Sequence, residues 1–426
     1  MKGKILILQD GLFNSPDANA KLVWRLSEHL VGLGYDVTVL GKAKEQEHVV
    51  EYHGVHLIHE PVDIAIRERK LTERLGKYKW LRYLISWRAI CYRLNKENID
   101  PFVIEMRRWL KAHVSDYDAL MACCSPYYPI MLASEVADRI PVLYYKIDPM
   151  GSWGDKARRD TELSTVENEV NWDGVAMKIM MPDVVYKDYM RLKTKVNGHK
   201  VVVVQFPNVR PLSVISNQQS VISSQLSVNS KQCNLLFVGK FYADIRHPQY
   251  LFDLMEKLEG TGIVLHIVGP INYMGFDEEY LEKYFTNKKE NIRFHGAVPP
   301  PEADALLTQA DVLVHVGNIV DTAMPSKILD YISSGKPILN ICKIRTCPTI
   351  PLMERYPLGL TLFEDESIVD GRKSIVDRVK DFCLMNMGKQ VPYEEIERLY
   401  PECTIEYVGK QFDEAIQDAI KEFKQK

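Results

Sequence analysis

Lys327, Asp330, Tyr331 and Ser334 recur at i, i+3, i+4 and i+7 within PSKILDYISSGKPIL (residues 325–339) and so share one face of a short helix. Ile328, Leu329 and Ile332 mark a second, packing face. Pro325 and Ser326 suit the helix start, because proline lacks a donor that would go unsatisfied there and a serine hydroxyl can cap free N–H groups. Gly335 suits a left-handed stop, and Pro337-Ile338-Leu339 then leads into a buried strand. Free N–H groups and the positive helix end at Ser326 and Lys327 suit phosphate. Asp330, one turn on, can accept hydrogen bonds from vicinal ribose hydroxyls. The alternative is a surface helix on which Lys327 and Asp330 form an ordinary i,i+3 ion pair.

A second group stands about ninety residues upstream. Leu235-Leu236-Phe237-Val238 has the unbroken apolar character of a buried parallel strand, and Gly239 ends it where a backbone can approach a phosphate closely. Lys240 and Arg246 would then project two cations above the same sheet edge.

The elements that must hold these residues follow strand–helix alternation. From the middle of the chain onward the pattern predicts a helix over 248–258, strands over 263–268 and 292–295, a helix over 302–310, a strand over 312–316, and then the helix around Asp330. His315 falls inside a strand pattern and reads as core. The first half opens with a strand over 4–8, a loop over 9–16, a helix from about 17 to 33 stopped by Gly34, and a strand over 37–40. This βαβ unit lacks G-x-G-x-x-G, which argues against a dinucleotide. Two further strands, over 118–123 and 141–147, end at the loops carrying Tyr127 and Asp148, and strands over 175–180 and 201–206 complete that sheet. Beyond such strand ends ligands collect in α/β folds. Asp148 lies at such a loop and also suits a helix cap, and Tyr127 lies in the other.

A chain of 426 residues exceeds one core of ordinary size, and the alternation divides it into residues 1–209 and 233–404. Residues 210–232, rich in serine, glutamine and asparagine, read as a linker or flexible insertion. An amphipathic terminal helix begins near residue 405. A net charge of −3 gives no overall reason to invoke nucleic acid. The eight cysteines include no Cys-x-x-Cys and no zinc-like cluster, so reduced thiols in a cytosolic protein are the plain reading. No apolar run approaches the length of a spanning helix, and the start is too short in apolar residues for a signal peptide. Locally, residues 66–113 hold thirteen lysines and arginines against five acids, interleaved with Trp80, Tyr83, Trp87 and Tyr92. That composition suits contact with a membrane surface or an anionic acceptor, and equally a solvated helix face whose aromatics pack on the sheet.

Gly239-Lys240-x5-Arg246 and Pro-Ser-Lys-x3-Asp-Tyr-x3-Gly-Lys-Pro together resemble the nucleotide-sugar half of retaining glycosyltransferases of the GT-B fold, family 4, in the subset that builds bacterial surface polysaccharides. The family's diphosphate-gripping Gly-Arg-x5-Lys appears here with its cations exchanged. Of its later Glu-x7-Glu segment the second acid is matched by Asp330, while Thr322 occupies the first position, with Asp321 one residue away. The resemblance implies two Rossmann-like parallel-sheet domains facing a cleft. In it Gly11 and Gly239 line the donor phosphates, Lys240, Arg246, Ser326 and Lys327 hold the diphosphate, Asp330 holds ribose, and backbone near Val298 borders the base. Asp148 is implied as the N-domain acid and Tyr127 as an acceptor contact.

It further implies transfer with retention from a nucleotide-diphosphate sugar to a glycan or lipid-linked acceptor, without metal or other cofactor, by a cytoplasmic protein peripheral at the inner face of the membrane. By analogy the helix over 405–426 packs back on the first domain. Two rivals share the architecture: a sugar-nucleotide epimerase, which leaves the basic stretch 66–113 unexplained, and a non-catalytic partner subunit, which Thr322 favours. A dehydrogenase comes last, for want of the dinucleotide fingerprint.

Overall fold

Ile5-Leu6-Ile7-Leu8 and Leu235-Leu236-Phe237-Val238 have no polar alternation, the pattern of strands covered on both faces, and in the computed structural model each lies inside a largely parallel sheet. The structure describes residues 2–12, 18–42, 51–58, 74, 101–124, 127–149, 166–192, 200–212, 232–270, 275–286, 289–367 and 374–426. The chain forms two compact units, Met1–Pro207 with Ile405–Lys426, and Asn208–Thr404.

In the first unit the elements are β1 (Gly3–Leu12), α1 (Ala18–Gly32), β2 (Tyr35–Lys42), β3 (Glu51–Tyr52), β4 (Val55–Ile58), α2 (Pro101–His113), β5 (Ala119–Cys124), α3 (Tyr128–Ser134), β6 (Val142–Lys146), α4 (Val166–Val175), β7 (Lys178–Met181), α5 (Asp183–Leu192) and β8 (Val201–Val203). Their order across the sheet is β3-β4-β2-β1-β5-β6-β7-β8, parallel except for the short β3–β4 hairpin. β1 runs past the expected residue 8 because a register shift between Leu8 and Leu12 lets pairing resume opposite Lys42. Gly11, expected in a loop, therefore lies in the last residues of β1.

A charged cluster is buried in this unit. Lys146, at the end of β6, donates to Glu169 Oε1 at 2.7 Å and Asp173 Oδ2 at 2.6 Å, and the Tyr189 hydroxyl donates to the same Asp173 oxygen at 2.7 Å. These contacts tie β6 to α4 and α5. Burial raises the Asp173 pKa, Lys146 acting against that rise, while the two acids raise the Lys146 pKa against burial.

The second unit holds β9 (Cys233–Val238), α6 (Gln249–Lys257), β10 (Ile263–Val268), α7 (Glu278–Leu281), β11 (Ile292–Gly296), α8 (Pro300–Gln309), β12 (Val312–Val316), α9 (Lys327–Ser333), β13 (Ile338–Cys342), α10 (Ile350–Arg355), β14 (Gly359–Phe363), α11 (Ile375–Asn386) and α12 (Tyr393–Leu399). Its six strands are all parallel in the order β11-β10-β9-β12-β13-β14. Numbered within the unit this is 3-2-1-4-5-6, the doubly wound order whose direction reverses between the first and fourth strands. Here those strands are β9 and β12, so the loop after Val238 and the loop after Val316 flank the switch point.

The chain then returns to the first unit as α13 (Ile405–Lys424), whose Val408, Phe412, Ala415, Ile416 and Ala419 are buried. Gly409 lets α13 cross α1 closely: a Cβ there would stand 2.2 Å from the His29 ring. Phe412 meets Tyr145 edge-on at 4.9 Å, and Asp413 accepts hydrogen bonds from Lys2 at 2.7 Å and Tyr35 at 2.5 Å. Burying a side chain such as Phe412 contributes about 1.5–3 kcal/mol, which explains how one helix is held to a sheet more than 200 residues away in sequence.

Candidate nucleotide-binding site

Three strand ends of the second unit are sewn together by backbone alone. Gly239 N donates to Val268 O at 2.9 Å, and Gly269 N donates to Gly296 O at 2.7 Å. Gly269 has φ +147°, and a Cβ on it would stand 1.9 Å from Gly239 O, so no other residue fits. The result is an edge of bare backbone at Gly239, followed by Lys240, which is exposed and has no side-chain partner among the described residues. Val298 is half-buried in the loop after β11.

The chain after Lys240 folds back. Phe241 stacks on Phe237 with ring centroids 4.2 Å apart, and Tyr242 and Arg246 exchange backbone hydrogen bonds at 3.1 and 3.0 Å. This turn delivers Arg246 to the loop after β12, where its Nε and Nη2 donate to Asn318 Oδ1 at 3.0 and 2.8 Å. Asn318 is neutral, and no carboxylate pairs with Arg246 among the described residues. Burial lowers the guanidinium's pKa, while Tyr242, Tyr331 and Cys347 oppose that shift. A largely desolvated cation with only a neutral partner is costly unless an anion joins it.

α9 is locked to the same edge by Tyr331, whose hydroxyl accepts from Val238 N at 2.8 Å and donates to Val238 O at 3.2 Å. Asp330 Oδ2 meets Lys327 Nζ at 3.2 Å, so the ordinary i,i+3 pair is present. Its other oxygen, Oδ1, is buried with no hydrogen-bond partner, which leaves one lone-pair face of the carboxylate for a donor. Ser326 departs from expectation. It sits at φ −57°, ψ −19° and makes no side-chain cap, because a capping residue must hold extended dihedrals to turn its oxygen back on the helix. Gly335 stops the helix at φ +70° as expected. Thr322 is turned inward, whereas Asp321 is exposed.

Beneath Arg246, His315 shares its Nδ1 with Asn340 Oδ1 at 2.8 Å, and its Nε2 is buried without a partner. Burial, then the charge of Arg246, pulls its pKa down to about 3, so the imidazole is neutral at physiological pH. This agrees with its reading as a core residue.

In the first unit Asp148 follows β6. Its Oδ2 accepts from Asn19 Nδ2 at 2.7 Å, and its carbonyl accepts from the Cys124 thiol at 3.5 Å. Tyr127 is buried and donates its hydroxyl to Pro149 O at 2.7 Å, so it pins the Asp148 loop instead of presenting that hydroxyl to an acceptor. Gln9, on β1, is buried with both amide atoms unpartnered. Sequence reasoning missed Asn318, Asn19 and Gln9. The amide inside the apolar run's end was the available signal for Gln9, while the other two are meaningful only through partners 72 and 129 residues away. Most of the basic stretch 66–113 lies outside the described residues; its last part is α2, where Arg107 and Lys111 pair with Glu135. Likewise 213–231 lies outside them. Among the described residues no group of three or more His, Cys, Asp or Glu is placed to hold a metal ion, and no helix is long and apolar enough to cross a membrane.

Residues 232–345, which contain Gly239, Lys240, Arg246, Asn318 and Asp330, match the family model of the group 1 glycosyl transferases. No curated protein sequence matches the chain. Among solved structures, HepE of Anabaena in complex with UDP and glucose is similar with a TM-score of 0.64 at 12% identity, over 97% of this chain and 99% of that one. WaaG, a glycosyltransferase involved in lipopolysaccharide biosynthesis, is similar with a TM-score of 0.59 at 14% identity over 97% and 99%. Sucrose-phosphate synthase from Thermosynechococcus elongatus gives 0.62 at 12% over 97% and 98%. The fold is therefore GT-B, two parallel-sheet α/β units.

Proposed function

We propose that this chain is a glycosyltransferase that takes a sugar from a nucleoside-diphosphate sugar and transfers it, with retention, to a glycan or lipid-linked acceptor in surface-polysaccharide assembly. The observation that carries the reading is Arg246: a half-buried cation with a neutral partner, at the switch point of a 3-2-1-4-5-6 sheet. Bare backbone at Gly239 and the unpartnered oxygen of Asp330 border the same strand. The binding of UDP-glucose by HepE and the lipopolysaccharide role of WaaG support the donor and acceptor classes.

In this reading the bond from the anomeric carbon to the donor phosphate breaks while the acceptor oxygen bonds on the same face, and the acceptor proton passes to the departing phosphate oxygen. Negative charge grows on the diphosphate, and Lys240 and Arg246 stabilise it, with Gly239 and the N–H groups at Ser326 and Lys327 as backbone donors. Asp330 accepts from ribose and Val298 borders the base. Asp148, held by Asn19, orients the transferred sugar or the acceptor hydroxyl, and Gly11, near the end of β1, borders the donor phosphates. Protein cations replace a metal, so transfer persists in a chelator. The protein works in the cytoplasm, and the stretch 66–113 brings it to the inner membrane face.

Lys240→Ala and Arg246→Ala, assayed with a panel of nucleoside-diphosphate sugars, test the assignment: both abolish transfer, and full activity in both refutes it. The anomeric configuration of the product, read by NMR, tests retention. The inward-turned Thr322, where the resemblance expects an acid, favours one second reading, a non-catalytic subunit that binds the nucleotide without turnover.

A further inference from the structure

Two cysteines outside the nucleotide-facing residues stand directly behind them. Cys342 ends β13, and Cys347 lies in the turn that follows. Both thiols are buried and both converge on one hydroxyl, with Thr349 Oγ1 at 3.8 Å from Cys342 Sγ and 3.2 Å from Cys347 Sγ. Asn340 ties the group together, donating to Cys342 Sγ at 3.3 Å while its oxygen accepts from Thr349 at 3.3 Å.

This group backs the turn that holds Arg246. Gly317 N donates to Ile341 O at 2.8 Å, and a Cβ on Gly317 would stand 3.0 Å from Cys347 Sγ, so the sulfur rests against the residue preceding Asn318. The neighbouring Cys342 thiol, then Thr349 and the charge of Arg246, lower the Cys347 pKa against the rise that burial imposes.

We propose that Cys347 is a peroxide-oxidised thiol resolved by Cys342, and that their disulfide loosens the turn of Gly317 and Asn318 that holds Arg246. The oxidant is a small hydroperoxide, since buried sulfurs exclude bulky disulfides. The Cys347 thiolate attacks one peroxide oxygen: an S–O bond forms, the O–O bond breaks, and the second oxygen leaves with a proton as water or alcohol. The Cys342 sulfur then attacks the sulfenic sulfur: the S–S bond forms, the S–O bond breaks, and water departs with the Cys342 proton. Two thiols and one hydrogen peroxide give one disulfide and two waters. Closing to about 2.05 Å shifts the sulfur that rests against Gly317. The effect on ligand rests on the proposed phosphate role of Arg246; disulfide formation and the loosened turn do not.

The test treats the full-length protein with hydrogen peroxide and measures three quantities: disulfide position by peptide mass, amide exchange over residues 317–323, and affinity for inorganic pyrophosphate. Expected are a Cys342–Cys347 disulfide, faster exchange in that segment, and pyrophosphate binding weaker by about tenfold or more, all reversed by a reductant. Cys342→Ser and Cys347→Ser remove all three responses, whereas Cys233→Ser, at a separate buried thiol, leaves them intact. Absence of the disulfide overturns the proposal, as does a disulfide with unchanged exchange. If the reduced protein binds neither pyrophosphate nor any nucleoside diphosphate, the functional reading falls, and mass and exchange still decide this one.

Discussion

Asn318 Oδ1 accepts two hydrogen bonds from Arg246, at 3.0 and 2.8 Å, while its amide nitrogen donates to Ala323 O at 3.1 Å. One neutral side chain thus orients the half-buried cation and braces the loop leading to α9. Asn318→Ala leaves the guanidinium donors unsatisfied, and hydrogen bonds to charged groups are worth about 1.5–3 kcal/mol. The variant binds a nucleoside diphosphate roughly 10- to 100-fold more weakly by calorimetry, with Asn318→Asp failing to restore it because the new carboxylate neutralises Arg246 and repels the diphosphate.

Gly269→Ala tests the pinch of strand ends. The added Cβ meets Gly239 O at 1.9 Å in a backbone conformation closed to alanine, so β9 and β10 must part at the edge that carries Gly239. A loss of about 2 kcal/mol or more is expected in urea unfolding, together with loss of nucleotide binding.

Lys146→Met keeps much of the side-chain volume and strands two carboxylates, Glu169 and Asp173, in the first unit's interior. Breaking a buried pair in this way costs about 3–5 kcal/mol. The expected signature is a lower urea midpoint. A wild-type midpoint in the variant would show that water reaches the cluster.

Two histidines make the second unit sensitive to acid. Burial pulls His315 and His266 down to about 3 from 6.5, helped by Arg246 and by His295 respectively. The unfolded chain takes up their protons below 6.5 while the native state does not, so their stabilisation is complete above that pH and is lost as pH falls toward 3. The slope is up to about 1.4 kcal/mol per pH unit for each histidine. Urea titrations at several pH values should show that slope, and His315→Gln should make it shallower.

Where local chemistry decides structure, it was legible. The aliphatic runs that became β10 and β12 have the bounds expected from their sequence, 263–268 and 312–316. The short β3–β4 hairpin, with only Val55 and Leu57 buried, carries too little pattern to be read. Gly11 reads as loop because Gln9 and Asp10 end the apolar run, yet strand pairing resumes beyond the register shift. Ser326 has the right residue type for a cap and the wrong dihedrals, and no local pattern distinguishes the two. The residues at the candidate site followed the same division. Gly239, Lys240, Arg246 and Asp330 stand out by type and spacing, whereas Asn318 and Tyr331 act through partners brought near only by the sheet order.

The most direct test of a nucleoside-diphosphate site is thermal stabilisation of the purified chain by UDP, GDP, ADP and TDP, comparing wild type with Arg246→Ala and Asp330→Ala. A ligand at a hundred times its Kd stabilises the native state by about 2.7 kcal/mol, a shift of several degrees. The predicted result is a shift with one nucleotide that is lost in both variants. No shift with any of the four, or an equal shift in wild type and both variants, would contradict the account.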